Sequence, residues 1–241
     1  MYFEILLSSY NGEKYIGKQI ESILNQTFKN WNLSIADDLS IDRTPSIIKK
    51  YCDLDKRIKF KKNNKRLGAL ISFYNLLIKS NGEYVVFCDQ DDIWLPDKLE
   101  SIFNFIKRKN NNVIFGIHNG EYLFSSRDNK NYFIKKTIYE SKPNLSFLRL
   151  FSQNQIIGCM TFGKSSSLKK IIPKTPPSDS GLYLDYWISL NVSIKYKIDF
   201  LDKKLIKYRR HENTATKKNR SFLEKIKTRF IIVIFLLFNR A

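Results

Sequence analysis

Three carboxylates lie within four residues, at Asp89, Asp91 and Asp92, with Gln90 between the first two. Carboxylates this close repel one another, and the cost is higher beside an apolar segment such as residues 84–88. A divalent cation relieves that cost, since Mg²⁺ or Mn²⁺ prefers carboxylate oxygens and shares its coordination shell with substrate phosphate. The cluster therefore predicts a site for a metal-bound phosphate. The alternative is a solvated acidic loop at the start of a helix, where negative charge suits the helix dipole.

A second pair of acids, Asp37 and Asp38, also follows a short apolar segment. Carboxylates in that position can accept hydrogen bonds from the N–H of a nucleotide base and from ribose hydroxyls. The alternative is helix capping by Ser40 or Asp42, and capping and ligand binding can coexist.

The elements that must position these acids alternate regularly over the first hundred residues. Short apolar segments at 3–7, 33–36, 58–60 and 84–88 predict strands, and each is followed by a segment with helical apolar spacing. This alternation predicts an α/β fold with an open, twisted, mostly parallel sheet flanked by helices. Ligands bind at the carboxyl ends of such strands, so the polar segments at 8–11, 37–38 and 89–92 are expected to meet there.

The periodicity is weaker after residue 110. Strands are predicted at 113–117, 121–124 and 156–162, with a polar loop at 125–143 and helices at 145–151 and 183–192. Residues 198–201 and 205–208 are predicted to form a pair of strands. We expect residues 1–110 and 111–215 to be two halves of one domain, followed by a tail at 216–241.

Charge is distributed unevenly along the 241-residue chain, which has a formal net charge of +19. Residues 1–102 carry 15 Lys or Arg and 14 Asp or Glu, so nearly all the excess positive charge lies beyond them. A nucleic-acid-binding protein would place basic and aromatic residues together on the main domain. The near-neutral first half argues against that class, and we expect no nucleic-acid partner.

Segments 9–16, 19–27, 37–44 and 82–99, in this order, resemble the family 2 glycosyltransferases. The form Asp-Gln-Asp-Asp-x-Trp-x-Pro-x-Lys-Leu resembles the bacterial rhamnosyltransferase-like branch, which builds surface polysaccharides. The resemblance implies a GT-A fold and an inverting transfer from a UDP- or dTDP-sugar, with rhamnose as one candidate, to a glycan or lipid-linked acceptor. It also implies Mn²⁺ or Mg²⁺ as cofactor. A nucleotidyltransferase is the alternative enzyme class, but it would need a glycine-rich phosphate loop near the N-terminus, which residues 8–12 do not supply.

The resemblance also implies roles for single residues. Asp185 corresponds to the general base, and Asp91 and His211 to metal ligands. The residues implied in binding the nucleotide-sugar are Ser8, Ser9, Tyr10, Glu13, Asp38, Asp89, Gln90, Asp92 and Arg209. The chain departs from the family pattern at Leu184, where His is frequent, and at Arg66, where Asn is common. The last Asn of the family's Tyr-Arg-x-His-x-x-Asn block falls at Thr214.

The tail combines basic residues at 217–229 with an apolar run at 230–238. Nine residues of helix cover about 13 Å, well under the ~30 Å hydrocarbon core, so this run is too short to span a bilayer. Basic residues beside a short apolar helix favour attachment to an anionic membrane surface. Packing on the domain or on a partner subunit is the alternative. With no signal-peptide pattern at the N-terminus, we expect a cytoplasmic protein that is peripheral on the inner face of the cell membrane.

Overall fold

Strands and helices alternate through the first half of the computed structural model, which describes residues 1–125, 132–172, 174–175, 180–211 and 222–238. The elements of this half are β1 (Phe3–Ser9), α1 (Ile16–Leu24), β2 (Trp31–Asp37), α2 (Thr44–Leu54), β3 (Ile58–Lys62), α3 (Gly68–Lys79), β4 (Tyr84–Cys88), β5 (Ile93–Trp94) and α4 (Lys98–Arg108). The predicted alternation is confirmed, and the short strand β5 is an addition to it.

The second half continues the same sheet. Its elements are β6 (Phe115–Ser125), β7 (Tyr132–Thr137), α5 (Phe147–Ser152), β8 (Thr161–Lys164), α6 (Ser165–Ile171), α7 (Leu184–Lys195), β9 (Asp199–Arg210) and α8 (Phe222–Phe238). A single 3-10 turn at Gly158–Met160 leads into β8.

The strands of the described residues form one sheet in the order β3-β2-β1-β4-β8-β6-β9-β5, with β7 paired to β6 outside this path. Strands β1 to β4 pair in parallel, as do β6 and β9. Strand β8 joins the two parallel groups through antiparallel pairs with β4 and β6. The α/β fold with a curled sheet flanked by helices is confirmed, and the sheet is mixed in its second half.

Two cores lie on opposite faces of the sheet because side chains alternate along each strand. On β1, Phe3, Ile5 and Leu7 pack with the core that includes α1, α2 and α4. Leu6, between them, packs in the core that includes α3, α6 and α7. Helices therefore pack on both faces of the sheet and fix the strands whose carboxyl ends carry the acidic segments.

The strand predictions for the second half were partly wrong. Residues 198–201 and 205–208 are not two paired strands but parts of β9, and 113–117 and 121–124 belong largely to β6. The polar residues that separate the predicted strands form bulges, because the register between β6 and β9 shifts around Asn119. The Asn119 amide donates to the Asp202 carboxylate at this shift. The loop predicted at 125–143 contains β7, and the strand predicted at 156–162 begins only at Thr161.

Helix α8 packs on the domain through one face. The Thr228 hydroxyl donates to the Ser180 carbonyl oxygen (3.2 Å), Arg229 donates to carbonyl oxygens at the end of α5, and Ile232 is fully buried. The other face exposes Ile226 and Phe230. Within the described ranges, no helix combines the length and the hydrophobicity needed to span a bilayer. The basic residues at 217, 218 and 220, and Thr214, lie outside the described residues.

Candidate active site

The carboxyl ends of β1, β2 and β4 meet at one edge of the sheet, as the sequence predicts. Ser9 lies beside Asp37 across the β1–β2 pair, and Leu7 lies beside Cys88 across the β1–β4 pair. A cavity of about 1110 Å³ opens over these strand ends. Its floor includes Ser8, Ser9, Tyr10, Asp38, Asp89, Gln90 and Asp91, and the second half adds Ile138–Asn144, Arg149, Gln153–Gly158 and Asp185.

The two acids after β2 have separate positions. Asp37 is fully buried, and its carboxylate accepts hydrogen bonds from the hydroxyls of Ser9 (2.9 Å) and Ser40 (2.5 Å). These bonds tie the ends of β1 and β2 together. Asp42 accepts a hydrogen bond from the Thr44 N–H (3.0 Å) at the start of α2, so a capping interaction is present beside the cavity.

Asp38 lines the cavity with a fixed carboxylate. The backbone N–H groups of Leu67 and Gly68 donate to its two oxygens at 2.7 and 2.8 Å, and the Asn63 amide donates at 3.1 Å. Gly68 has a φ of 78°, in the left-handed region that side chains other than glycine rarely adopt. The loop before α3 therefore holds Asp38 in one orientation at the cavity wall.

Tyr10 and Gln90 join two strand ends by a reciprocal pair of hydrogen bonds. The Gln90 amide accepts from the Tyr10 N–H (2.9 Å) and donates to the Tyr10 carbonyl oxygen (3.0 Å). A Cβ at Gly12 would lie 2.3 Å from Gln90 Oε1, so this arrangement requires glycine at position 12. The Arg66 guanidinium lies 3.8 Å from the Tyr10 ring centroid. Arg66, which departs from the family pattern, is therefore part of the site.

Asp91 and His211 are brought together from positions 120 residues apart. His211 Nε2 lies 2.7 Å from Asp91 Oδ2, and the imidazole stacks on the Tyr15 ring at a centroid distance of 4.6 Å. Arg209 Nε donates to the Asp91 carbonyl oxygen (2.7 Å). The end of β9 therefore anchors the acidic loop and delivers the imidazole to it.

Asp92 has a different environment from its neighbour. It is fully buried; Oδ1 accepts from the Arg209 N–H (2.9 Å), while Oδ2 has no hydrogen-bond partner in the described part of the chain. Burial, and then the charge of Asp91, raises the pKa of Asp92 to about 7. Asp89, Asp92 and the Cys159 thiol have ligand atoms within 4.8 Å of one another.

Lys98 is a buried cation that the sequence did not single out. Its Nζ donates to the Cys159 carbonyl oxygen (2.9 Å) and lies 3.8 Å from the Trp94 ring centroid. Burial lowers the pKa of this lysine to about 8, although the carboxyl groups of Asp92 and Asp89 oppose that effect. The Trp-x-Pro-x-Lys spacing at 94–98 is the sequence signal that could have identified Lys98, because this spacing places the lysine close to the Trp94 ring.

Asp185 lies in the first turn of α7 and lines the same cavity as the strand ends. A Cβ at Gly158 would lie 3.3 Å from its Cγ, so the 3-10 turn passes directly beside the carboxyl group. Burial raises the pKa of Asp185 to about 6. The pKa of Asp89 is also raised, by burial and then by Asp92, Asp91 and Asp185, which shows that the acids of the two halves influence one another.

Glu13, Asp92, Arg209 and His211 do not line the cavity within the described residues. Glu13 instead accepts from the N–H and the guanidinium of Arg43 at 3.0 and 3.2 Å. Direct contact of these residues with a nucleotide-sugar, or of His211 with a metal, stays a prediction.

The donor set around Asp91 fits a divalent cation. A carboxylate oxygen and an imidazole nitrogen 2.7 Å apart are ligand types that Mn²⁺ accepts. The Cys159 thiol beside Asp89 and Asp92 suits softer ions than Mg²⁺. The side chains around Asp91 therefore favour Mn²⁺ or Mg²⁺ at Asp91 rather than at the thiol.

A protein-family model described as glycosyl transferase family 2 matches residues 4–172. The glycosyltransferase MJ1057 of Methanocaldococcus jannaschii is 32% identical over 207 residues, 85% of this chain and 69% of its own length. The Escherichia coli enzyme WfgD, named as a UDP-Glc:α-D-GlcNAc-diphosphoundecaprenol β-1,3-glucosyltransferase, is 33% identical over 157 residues, 65% of this chain and 57% of that protein. The dTDP-rhamnosyl transferase RfbG of Shigella flexneri is 28% identical over 92% of this chain and 77% of its own.

Solved structures share the fold. S. aureus TarS 1–349 in complex with UDP-GlcNAc superimposes with a TM-score of 0.75 at 19% identity, over 97% of this chain and 67% of that one. The mannosyltransferase PcManGT from Pyrobaculum calidifontis, in complex with GDP-Man and Mn²⁺, gives a TM-score of 0.61 at 16% identity, over 96% and 64% of the two chains. The fold is that of the GT-A glycosyltransferases.

Proposed function

The chain belongs to glycosyl transferase family 2, and from that membership we propose that it transfers a sugar, with inversion, from a UDP- or dTDP-sugar to a glycan or lipid-linked acceptor. Rhamnose is one candidate sugar, and synthesis of a bacterial surface polysaccharide is the proposed setting. The names of WfgD and RfbG support a nucleotide-sugar donor of this kind. The observation that carries the proposal is that Asp38, Asp91 and Asp185 line one cavity.

Residues 1–110 are proposed to bind the donor. Asp38, with both oxygens oriented by backbone N–H groups, is suited to accept from the base or ribose, and the Tyr10 ring beside Arg66 offers a flat surface to the base. Ser8, Ser9, Asp89 and Gln90 complete the proposed floor. Glu13, Asp92 and Arg209 are proposed to bind the nucleotide-sugar with them, and Arg209 also holds the acidic loop through its bonds to Asp91 and Asp92.

A divalent cation, Mn²⁺ or Mg²⁺, is proposed at Asp91 with His211 as a second ligand. The group supplies positive charge against the diphosphate that leaves the sugar. The chain's own contribution is to hold the Asp91 carboxylate: Arg209 bonds its backbone carbonyl oxygen, and Tyr15 supports the imidazole by stacking.

Asp185 is proposed as the general base of residues 111–215. Inversion requires a group that takes the proton from the acceptor hydroxyl on the face opposite the leaving diphosphate. A carboxyl with a pKa raised by burial to about 6 is a stronger base than an ordinary aspartate and is still ionised at neutral pH. Its place in the wall of the cavity that Asp38 and Asp91 also line supports this assignment.

Contact with an anionic membrane surface on the cytoplasmic side is proposed through the outer face of α8. Ile226, Phe230 and Val233 lie at the spacing of one helix face and are 46%, 66% and 40% exposed. The positive charge of the second half of the chain would favour anionic lipid around this apolar face. Such contact would bring the enzyme to a lipid-linked acceptor.

The donor is tested by thermal shift with UDP-, dTDP- and GDP-sugars, each with and without Mn²⁺. A ligand that binds only the folded chain raises its melting temperature in proportion to ln(1 + [L]/Kd), so the preferred base is the one that stabilises most. We expect stabilisation by a UDP- or dTDP-sugar that is larger with metal. Equal melting temperatures with every nucleotide-sugar would contradict the proposal.

A further inference from the structure

We call the cavity-lining residues between 136 and 157 the outer wall of the cavity. This wall carries positive charge to which the proposed donor site assigns no role. Lys136 is paired with Glu140 at 3.2 Å. Lys142 and Arg149 also line the cavity, and neither has a carboxylate within ion-pair distance in the described part of the chain. The floor carries three acids, Asp38, Asp89 and Asp91, with Arg66 beside Tyr10, whereas the unpaired charges of the outer wall are positive.

The exposed Arg149 side chain is held at one nitrogen by Gln155. With the Gln155 amide oriented to donate to the Asn144 carbonyl oxygen (3.1 Å), the Gln155 oxygen accepts from Arg149 Nε at 3.2 Å. The two terminal nitrogens of the guanidinium make no hydrogen bond to a described residue. A guanidinium in this state is a planar fork that can bind a phosphate or carboxylate with two hydrogen bonds.

The helices that carry Arg149 and Asp185 are tied together beside both residues. The Tyr186 hydroxyl, next to Asp185 on α7, donates to the Leu150 carbonyl oxygen, next to Arg149 on α5, at 3.0 Å. Both side chains line the same cavity. The guanidinium and the carboxylate proposed to deprotonate the acceptor therefore line one cavity from two helices that are joined beside them.

We propose that Arg149, assisted by Lys142, binds an anionic group of the acceptor, a phosphate or a carboxylate, beside the hydroxyl that Asp185 deprotonates. This inference rests on the proposed function. The donor diphosphate and its metal belong to the acidic floor, and a cavity of about 1110 Å³ exceeds the roughly 300–1000 Å³ of most ligand pockets, so it has room for a second substrate. The acceptor is therefore a lipid-linked diphosphate or an acidic glycan rather than a neutral sugar.

Calorimetry on the full chain tests this, with UDP saturating and free Mn²⁺ fixed so that the donor site is filled. The probes are geranyl diphosphate for a lipid-type anion, glucuronic acid for an acidic glycan, and glucose as the neutral control. We expect at least one anion, but not glucose, to bind. Arg149→Gln should weaken anion binding about tenfold or more, the loss expected for a charged hydrogen bond, and Arg149→Lys should retain part of it.

Lys50→Gln on the exposed side of α2 is the matched control, because it removes one positive charge away from the cavity, and its anion affinity should equal that of the unaltered chain. Binding of neither anion, or equal anion affinity in Arg149→Gln and the unaltered chain, would overturn the inference. The initial UDP titration, repeated with dTDP where UDP does not bind, reports on the proposed function separately, since nucleotide binding depends on the floor and not on Arg149. Which anion binds decides between the two acceptor types.

Discussion

Neighbouring aspartates of one short segment have different environments, and the backbone decides which of them faces the cavity. Asp91 projects to the cavity and meets His211, whereas Asp92 is buried and accepts from the Arg209 backbone. Asp89 lines the cavity but shares its environment with Cys159 and Asp92. The clustered acids of the sequence therefore indicated a site, whereas the contacts of Asp91 and Asp92 depend on Arg209 and His211 at the end of β9.

Asp91→Ala should remove metal-dependent donor binding while leaving the fold intact. The carboxylate is the oxygen ligand proposed for the cation, and loss of the cation's charge stabilisation should reduce transfer at least about a hundredfold. Thermal shift with the preferred nucleotide-sugar, with and without Mn²⁺, measures the binding. Asp53→Ala, which removes an exposed acid from α2, should behave as the unaltered chain. A metal-dependent shift that survives in Asp91→Ala would remove this residue as the ligand.

The Asp185 carboxyl predicts a pH dependence of transfer. Only the ionised form can accept a proton, so the rate at saturating donor should rise with pH and reach half its plateau near the raised pKa of about 6. Asp185→Asn should reduce the rate strongly at all pH values and abolish this limb. A variant that keeps the limb would show that another group is the base.

The same raised pKa predicts an effect on stability. The folded chain binds the Asp185 proton more tightly than the unfolded chain does, so ionisation of this carboxyl lowers the free energy of unfolding. The loss begins as the pH rises through the ordinary pKa of 3.8 and is complete above the folded-state pKa of about 6. About two pKa units correspond to about 3 kcal/mol, so Asp185→Asn should raise the melting temperature by up to roughly 6–12 °C at pH 7.5 and have little effect near pH 4. A melting temperature at pH 7.5 that is lowered instead would mean that the carboxylate makes a stabilising contact in the fold.

At the level of elements, the first half was predictable because each strand has a local apolar signal and each helix a local period. The second half was not, since the polar residues around Asp202 suggest a turn but lie in a bulge of β9 whose partner on β6 is about 80 residues away. For the same reason, the contacts of Lys98 with Cys159 and of Arg66 with Tyr10 could not be predicted. Only the resemblance joined Asp91 to His211 and Asp185 to the cavity; its assignments remain predictions where ligand contact is concerned.

Lys98→Met tests how α4 supports the acidic loop. The ammonium bonds the carbonyl oxygen of Cys159 in the 3-10 turn that passes Asp185, and its charge lies near Asp89 and Asp92. Removing it leaves that buried oxygen unpaired and the acids less compensated, at a cost of about 1.5–3 kcal/mol in unfolding free energy. Lys107→Met, exposed in the last turn of the same helix, should cost little. Chemical denaturation of both variants measures the difference, and equal midpoints would show that Lys98 does not stabilise the loop.

At the scale of the whole molecule, the charge is divided as the proposed function requires. The near-neutral first half carries the acidic floor, while the excess positive charge lies in the half that carries the proposed acceptor wall and α8. Helix α8 docks on α5 through Arg229, and α5 also carries Arg149 at the cavity wall and the exposed Leu148. The outer face of α8 and the outer wall of the cavity are therefore linked through one short helix.

Replacing Ile226 and Phe230 with serine tests the proposed membrane contact without disturbing the buried face of α8. Both side chains are exposed, whereas Thr228 and Ile232 make the contacts with the domain, so the fold and its melting temperature should be kept. Sedimentation with phosphatidylglycerol vesicles should decrease several-fold, because burial of the two side chains in the lipid interface is lost. High salt should weaken the binding of the unaltered chain, since part of the attraction is electrostatic.

Leu54→Ser is the control, because it removes a 78% exposed apolar side chain from α2, and this variant should sediment as the unaltered chain does. If the double variant sediments as well as that control, the outer face of α8 does not contact lipid, and its exposed apolar residues need a different partner.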